Sequence, residues 1–174
     1  MYFIILLSLI LLSLGVDSIR WGITPMPTSQ KAKKVVLDCL TDGKVYELGS
    51  GFGSLAFSIS THAASVVAYE ASFFPYLISK IFMLFRRRFN LRILRKNFFC
   101  ESLKDADVIV CYLYPYAMRR LKEKFEKELK GGARVISNSF AVPGWKADKI
   151  VEVDDLFQSK IYVYTRSTSI LYRK

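Results

Sequence analysis

Histidine is nearly absent. His62 is the only one in 174 residues, so a histidine-based triad has a single candidate base, and no G-x-S-x-G nucleophile elbow accompanies it. Cysteine is scarce too. Cys39, Cys100 and Cys111 lie far apart with no C-x-x-C pair, which argues against a zinc site and against a disulfide framework. Three scattered thiols suit a reducing compartment, with the cysteines as small apolar filler. The strict dinucleotide fingerprint G-x-G-x-x-G is missing as well. Counting from Gly49 or Gly51, the third glycine falls on Ser54 or Ala56. There is no internal repeat and no low-complexity segment.

What is present is apolar and basic. A hydrophobic fraction of 52% with 14% aromatics argues against disorder, and the length suits one domain with a sizeable core. The formal net charge is +11, which suits an acidic partner such as an anionic membrane surface, a nucleic acid or an acidic protein.

Residues 2–16 carry no charge. The run is somewhat short of the ~20 residues of a full membrane crossing. A cleaved signal peptide needs a small-x-small site, which Ser13-x-Gly15 offers, but no positive region precedes the run. Arg20, Lys31, Lys33 and Lys34 all follow it. By the positive-inside rule the charge bias favours an uncleaved anchor over residues 1–18, with the domain on the cytosolic side or its organellar equivalent. An apolar helix packed onto the domain is a third reading. Residues 19–29 read as a linker because Pro25 and Pro27 break regular structure.

The domain, residues 30–174, is organised around Glu47-x-Gly49-Ser50-Gly51-x-Gly53. This is a short strand feeding a glycine turn and a helix over 54–61. Glycines serve where backbone turns sharply and comes close to a ligand, and the turn is suited to a nucleoside-containing cofactor. The relaxed form Gly51-x-Gly53-x-x-Ala56 keeps a dinucleotide open. A second strand over 64–70 ends in Glu70, 17 residues after Gly53. That is near the ~20-residue spacing at which an acid meets ribose hydroxyls.

Helices are expected over 30–40, with Ala32, Val35, Val36 and Cys39 inward, over 73–85, and over 117–130, with Met118, Leu121, Phe125 and Leu129 inward. Surface pairs Glu123–Lys127 and Glu126–Lys130 should support the last of these. Strands are expected over 91–94, 105–112, 133–137, 149–153 and 160–166. After the apolar stretch 73–85 come Arg86, Arg87, Arg88, Arg92, Arg95 and Lys96, with no acid among them. An apolar helix followed by such a patch reads as membrane-surface binding. The same cations with Phe89 and Phe98 could grip nucleic acid, and a core helix with arginines near its carboxyl end is the third reading.

Glu47-x-Gly49-x-Gly51-x-Gly53 resembles the first motif of the class I S-adenosylmethionine-dependent methyltransferases, and Glu70 takes the place of the ribose acid. More narrowly, the chain resembles the small membrane-anchored protein-lysine methyltransferases of the ATP synthase c subunit and related membrane carriers. The resemblance is carried by the apolar leader, Thr24-Pro25-Met26-Pro27-Thr28, residues 47–53, Glu70, residues 121–136, and Phe140-x-x-Pro143-x-Trp145. Three positions depart from that group: Phe74 where Asn is usual, Asn97 where an acid is usual, and Tyr112 to Tyr114 before Pro115.

The resemblance implies an α/β, Rossmann-like methyltransferase sheet, mostly parallel with an antiparallel terminal strand and helices on both faces. An N-terminal apolar helix would be added to it. It also implies S-adenosylmethionine as cofactor, held by Glu47, Gly49, Ser50, Gly51, Gly53, Glu70 and Asn97, the last through its carbonyl to the adenine amine. Its acceptor is a lysine of a membrane-embedded protein, reached through a channel for which Tyr112, Tyr114 and Trp145 are candidates. A nucleic-acid methyltransferase using residues 86–96, or a non-catalytic membrane-bound module of this fold, are the competing readings.

Overall fold

A computed structural model describes residues 27–86 and 88–167. The anchor expected over residues 1–18 and most of the linker lie outside the described residues, as does the end of the domain after residue 167.

In chain order the elements are α1 (Gln30–Asp38), β1 (Lys44–Leu48), α2 (Ser54–Ile59), β2 (Ser65–Glu70), α3 (Phe73–Phe85) and β3 (Leu91–Arg95). They continue with β4 (Val108–Cys111), α4 (Pro115–Glu128), β5 (Arg134–Asn138), β6 (Lys149–Glu152) and β7 (Lys160–Thr165). A short 3-10 turn at Phe98–Cys100 follows β3. The strands form one sheet in the order β3-β2-β1-β4-β5-β7-β6. β1 to β5 pair in parallel, while β7 runs antiparallel to both β5 and β6. Among the described strands the antiparallel one is thus last in sequence but interior in the sheet, and β6 takes the edge.

Period-two alternation divides the strands between two cores. Val45, Val66, Ala68, Ile93, Val110 and Ile136 face one side, where Ala32 and Val36 of α1 and Leu55, Ala56 and Ile59 of α2 cover them. Tyr46, Leu48, Val67, Ile109, Cys111 and Val135 face the other, against Met118, Leu121 and Phe125 of α4. Both faces being covered, β1, β2 and β4 read as nearly unbroken apolar runs.

Local chemistry sets the helix starts. Ser29 Oγ accepts from Ala32 N at 3.0 Å and caps α1. α4 begins two residues earlier than the sequence predicts, because Pro115 takes its first turn, where a missing N–H costs nothing. Two other expectations are corrected. On α1, Val35 is half-buried and Lys33 is buried in its stead. On α4, the surface pairs are Lys122–Glu126 and Lys124–Glu128, while Lys130 reaches away to Asp107. Of the cysteines, Cys39 and Cys111 are buried filler but Cys100 is exposed.

Candidate active site

In a parallel α/β sheet the ligand site lies beyond the carboxyl ends of the strands, where the order reverses. Here the reversal falls between β1 and β4, and the glycine turn occupies that point. Gly49 N and Ser50 N both donate to Tyr69 O at 2.9 Å, and Gly53 N donates to Ser50 O. The turn is therefore pinned to the end of β2. Gly49, Gly51 and Gly53 all have positive φ. A Cβ on Gly53 would meet Ser79 Cβ of α3 at 3.0 Å, so this glycine lets α3 close on the turn. A Cβ on Gly51 would meet nothing within 4 Å. Gly51 faces open space at the cleft, the arrangement a close-lying ligand needs.

The two acids come together around this turn. Glu70, at the tip of β2, accepts from Gly51 N and from Ser72 N, both at 2.7 Å. It thereby fixes the loop and the start of α3 together. Glu47 is only 4% exposed, and its Oε2 has no hydrogen-bond partner. Burial pushes its carboxyl up to about 8, the charge of Glu70 adds to the shift, and Lys33 opposes it. A buried acceptor left unpaired costs about 1–3 kcal/mol. Together with the buried, unpartnered Ser50 Oγ, it marks a place where a cationic, hydrogen-bonding ligand would relieve a cost the fold otherwise carries. These residues fit an S-adenosylmethionine site: Glu47 toward the amino group, the turn toward the methionine and ribose parts, Glu70 toward the ribose.

Lys33 is a site residue that the sequence reading missed. Its Nζ donates to Ser54 Oγ at the start of α2, and burial lowers its pKa while Glu47 raises it. The signal was available. Lys33 sits three residues before Val36 on the inward face of α1, an unusual place for a lysine without a partner.

Asn97 follows β3 at the same sheet edge. Its Oδ1 accepts from Phe99 N at 3.0 Å, so the carbonyl expected to meet adenine already caps the 3-10 turn with one of its two lone pairs. Tyr112 and Tyr114, at the end of β4, gather around Phe140, with ring centroids 6.3 and 5.3 Å from it. Phe140, which the sequence offers only within Phe140-x-x-Pro143-x-Trp145, joins the two tyrosines into an aromatic wall. Trp145 has other neighbours. It packs against Phe125 and Tyr164, and its indole N–H donates to Glu126 Oε1 at 3.1 Å. That places Trp145 in the α4 core.

Asn138, at the end of β5, is a second missed candidate. It is 2% exposed and its Nδ2 has no partner, on the sheet face it shares with Glu47 by alternation.

Comparison with known proteins bears on what this site does. A family model described as the ANTKMT methyltransferase domain matches residues 47–149. A protein-lysine N-methyltransferase from Saccharolobus islandicus (strain REY15A) is 36% identical over 73 residues, covering 41% of this chain and 45% of that protein. The adenine nucleotide translocase lysine N-methyltransferase of Mus musculus is 29% identical over 115 residues, covering 63% and 48%. The chain thus spans about half the length of the curated relatives it matches. Among solved structures, an RNA methyltransferase from Salinibacter ruber in complex with S-adenosyl-L-homocysteine superposes with a TM-score of 0.75. It is 23% identical and covers 82% of this chain and 95% of its own, a likeness of fold.

Proposed function

The chain belongs to the ANTKMT methyltransferase domain family, and from that premise we propose that it methylates a lysine of a membrane-associated protein. Membership agrees with the class I resemblance read in the sequence and brings S-adenosylmethionine with it as cofactor. The single observation that carries the reading is the pair of carboxylates around the glycine turn. One, Glu47, is buried with an unpaired oxygen; the other, Glu70, holds Gly51 N.

When bound, S-adenosylmethionine supplies a methyl already activated by a positive sulfur. The chain's residues then have only to bind, orient and exclude water. Glu47 would offset the ligand's positive charge, and Glu70, at the tip of β2 beside the turn, would face the ribose hydroxyls. The wall of Tyr112, Tyr114 and Phe140 would line the approach of the lysine. An aromatic surround favours the neutral amine by desolvation. Tyr112, Tyr114 and Phe140 would orient the neutral amine's lone pair toward the methyl that the bound group would supply, its sulfur being the leaving group. The proton leaves from nitrogen to solvent, so no strong general base is demanded.

The basic run and the fold shared with an RNA methyltransferase make RNA the second acceptor class. The test is one reaction with isotopically labelled S-adenosylmethionine, offered membrane-protein extract and total RNA in parallel. Label on lysine, located by mass spectrometry, is the expected result. Label on RNA alone would reverse the assignment.

A further inference from the structure

α3 is apolar nearly all round: Pro75 is buried and Tyr76 and Met83 pack on the core, yet other apolar side chains of the helix stay exposed. Phe73, Leu77, Ile81, Leu84 and Phe85 are 43, 39, 46, 75 and 81% exposed. Their spacing, i, i+4, i+8, i+11 and i+12, puts them on one side of the helix. The opposite side is already used: Ser79 is fully buried against Gly53. Beyond Phe73, which meets Phe74 and Arg95, the stripe stays exposed among the described residues.

Charge says what would cover it. Residues 73–100 contain seven Lys and Arg and no Asp or Glu. Arg86, Arg88 and Arg95 are exposed, on the end of α3, the loop after it and the face of edge strand β3 that α3 covers. Arg95 lies over the Phe73 ring at 5.0 Å, so cation and apolar stripe form one surface. A second copy of this chain would set cations against cations with no acid between them. A nucleic acid would gain from the arginines but not from Leu77, Ile81 and Leu84. An anionic lipid surface uses both: acyl boundary for the stripe, headgroups for the arginines.

We propose that the outward face of α3 with its arginine rim is a docking surface for anionic phospholipid bilayers. The face also has a direction. Only two residues separate β2 from α3, and Glu70 is the register partner of Arg95. The Phe73 end of the stripe therefore adjoins the cofactor residues, and docking sets the mouth of the site at the headgroup level. The inference deepens the proposed membrane-protein acceptor, but its test reads no methyl transfer, so either can fail alone.

The test uses the full chain with Phe85→Trp as reporter, its signal taken as the difference from the unsubstituted protein. Vesicles contain brominated phosphatidylserine and phosphatidylcholine, or brominated phosphatidylcholine alone. The expected result is a blue shift and quenching of the new tryptophan with the anionic vesicles only. Arg86→Gln with Arg88→Gln should weaken the partition by about fivefold for each cation removed. Binding to both vesicle types with no change at Phe85→Trp would mean the apolar leader makes the contact, and would overturn the proposal. A blue shift without vesicles that grows with protein concentration would do the same in favour of self-association. Quenching by RNA with none by anionic vesicles would assign the face to nucleic acid instead.

Discussion

Glu47 holds the most information at the scale of single residues. Its proton stays on to about pH 8 in the fold, against 4.5 for an ordinary glutamate, because burial and Glu70 disfavour its charge. The folded chain thus binds a proton that the unfolded chain has lost. This group's contribution to stability is intact below pH 4.5 and drains away as pH rises toward about 8. Glu47→Gln keeps the shape and removes the titration. We expect the cofactor-free variant to gain on the unsubstituted protein as pH rises, by on the order of a few kcal/mol between about pH 5 and about pH 8.5. Thermal melts at the two pH values check this. An equal difference at both would mean that Glu47 is not protonated in the fold.

Among the elements, the glycine turn and α3 separate binding from folding. Gly51→Ala and Gly53→Ala both place a Cβ at positive φ, a strain of about 1–2 kcal/mol. Only Gly53→Ala also drives a Cβ to 3.0 Å from Ser79. Gly53→Ala should therefore lower the melting temperature clearly more than Gly51→Ala. Gly51→Ala should lose S-adenosylmethionine affinity out of proportion to its loss of stability, since its Cβ enters the cleft. Melts and ligand titration of the two variants decide it, and the idea fails if they rank the same way in both.

The elements also show how far the sequence could be read. The bounds of α3 and the inward face of α4 were legible because apolar spacing is a local property. β1, β2 and their acids were legible because the turn that joins them needs glycine. Lys33 was legible only in its place three residues before Val36; its role was not, since its partners Ser54 and Glu47 arrive from other elements. The i, i+4 pairs on α4 were misassigned for the same reason. Glu126 is drawn to Lys122 and the Trp145 indole, and Lys130 to Asp107. Phe140 belongs with Tyr112 and Tyr114 only once β5 lies beside β4.

At the scale of the molecule, one sheet serves two needs. Its carboxyl edge gathers Glu47, the glycine turn and Glu70 at the point where strand order reverses. Its β3 side carries α3, whose outward stripe and arginines are spent on neither core. The glycine turn and the flank proposed to meet lipid adjoin at Phe73 and Arg95.

The most direct test of the cofactor assignment is calorimetric titration of the full chain with S-adenosylmethionine near pH 7, in two buffers of different ionisation enthalpy. The account predicts saturable heat and a net release of protons as Glu47 ionises against the cationic ligand, with Glu70→Gln weaker by about tenfold or more, about 1.4 kcal/mol. No heat at high-micromolar ligand, or binding unaltered by Glu70→Gln, would contradict it.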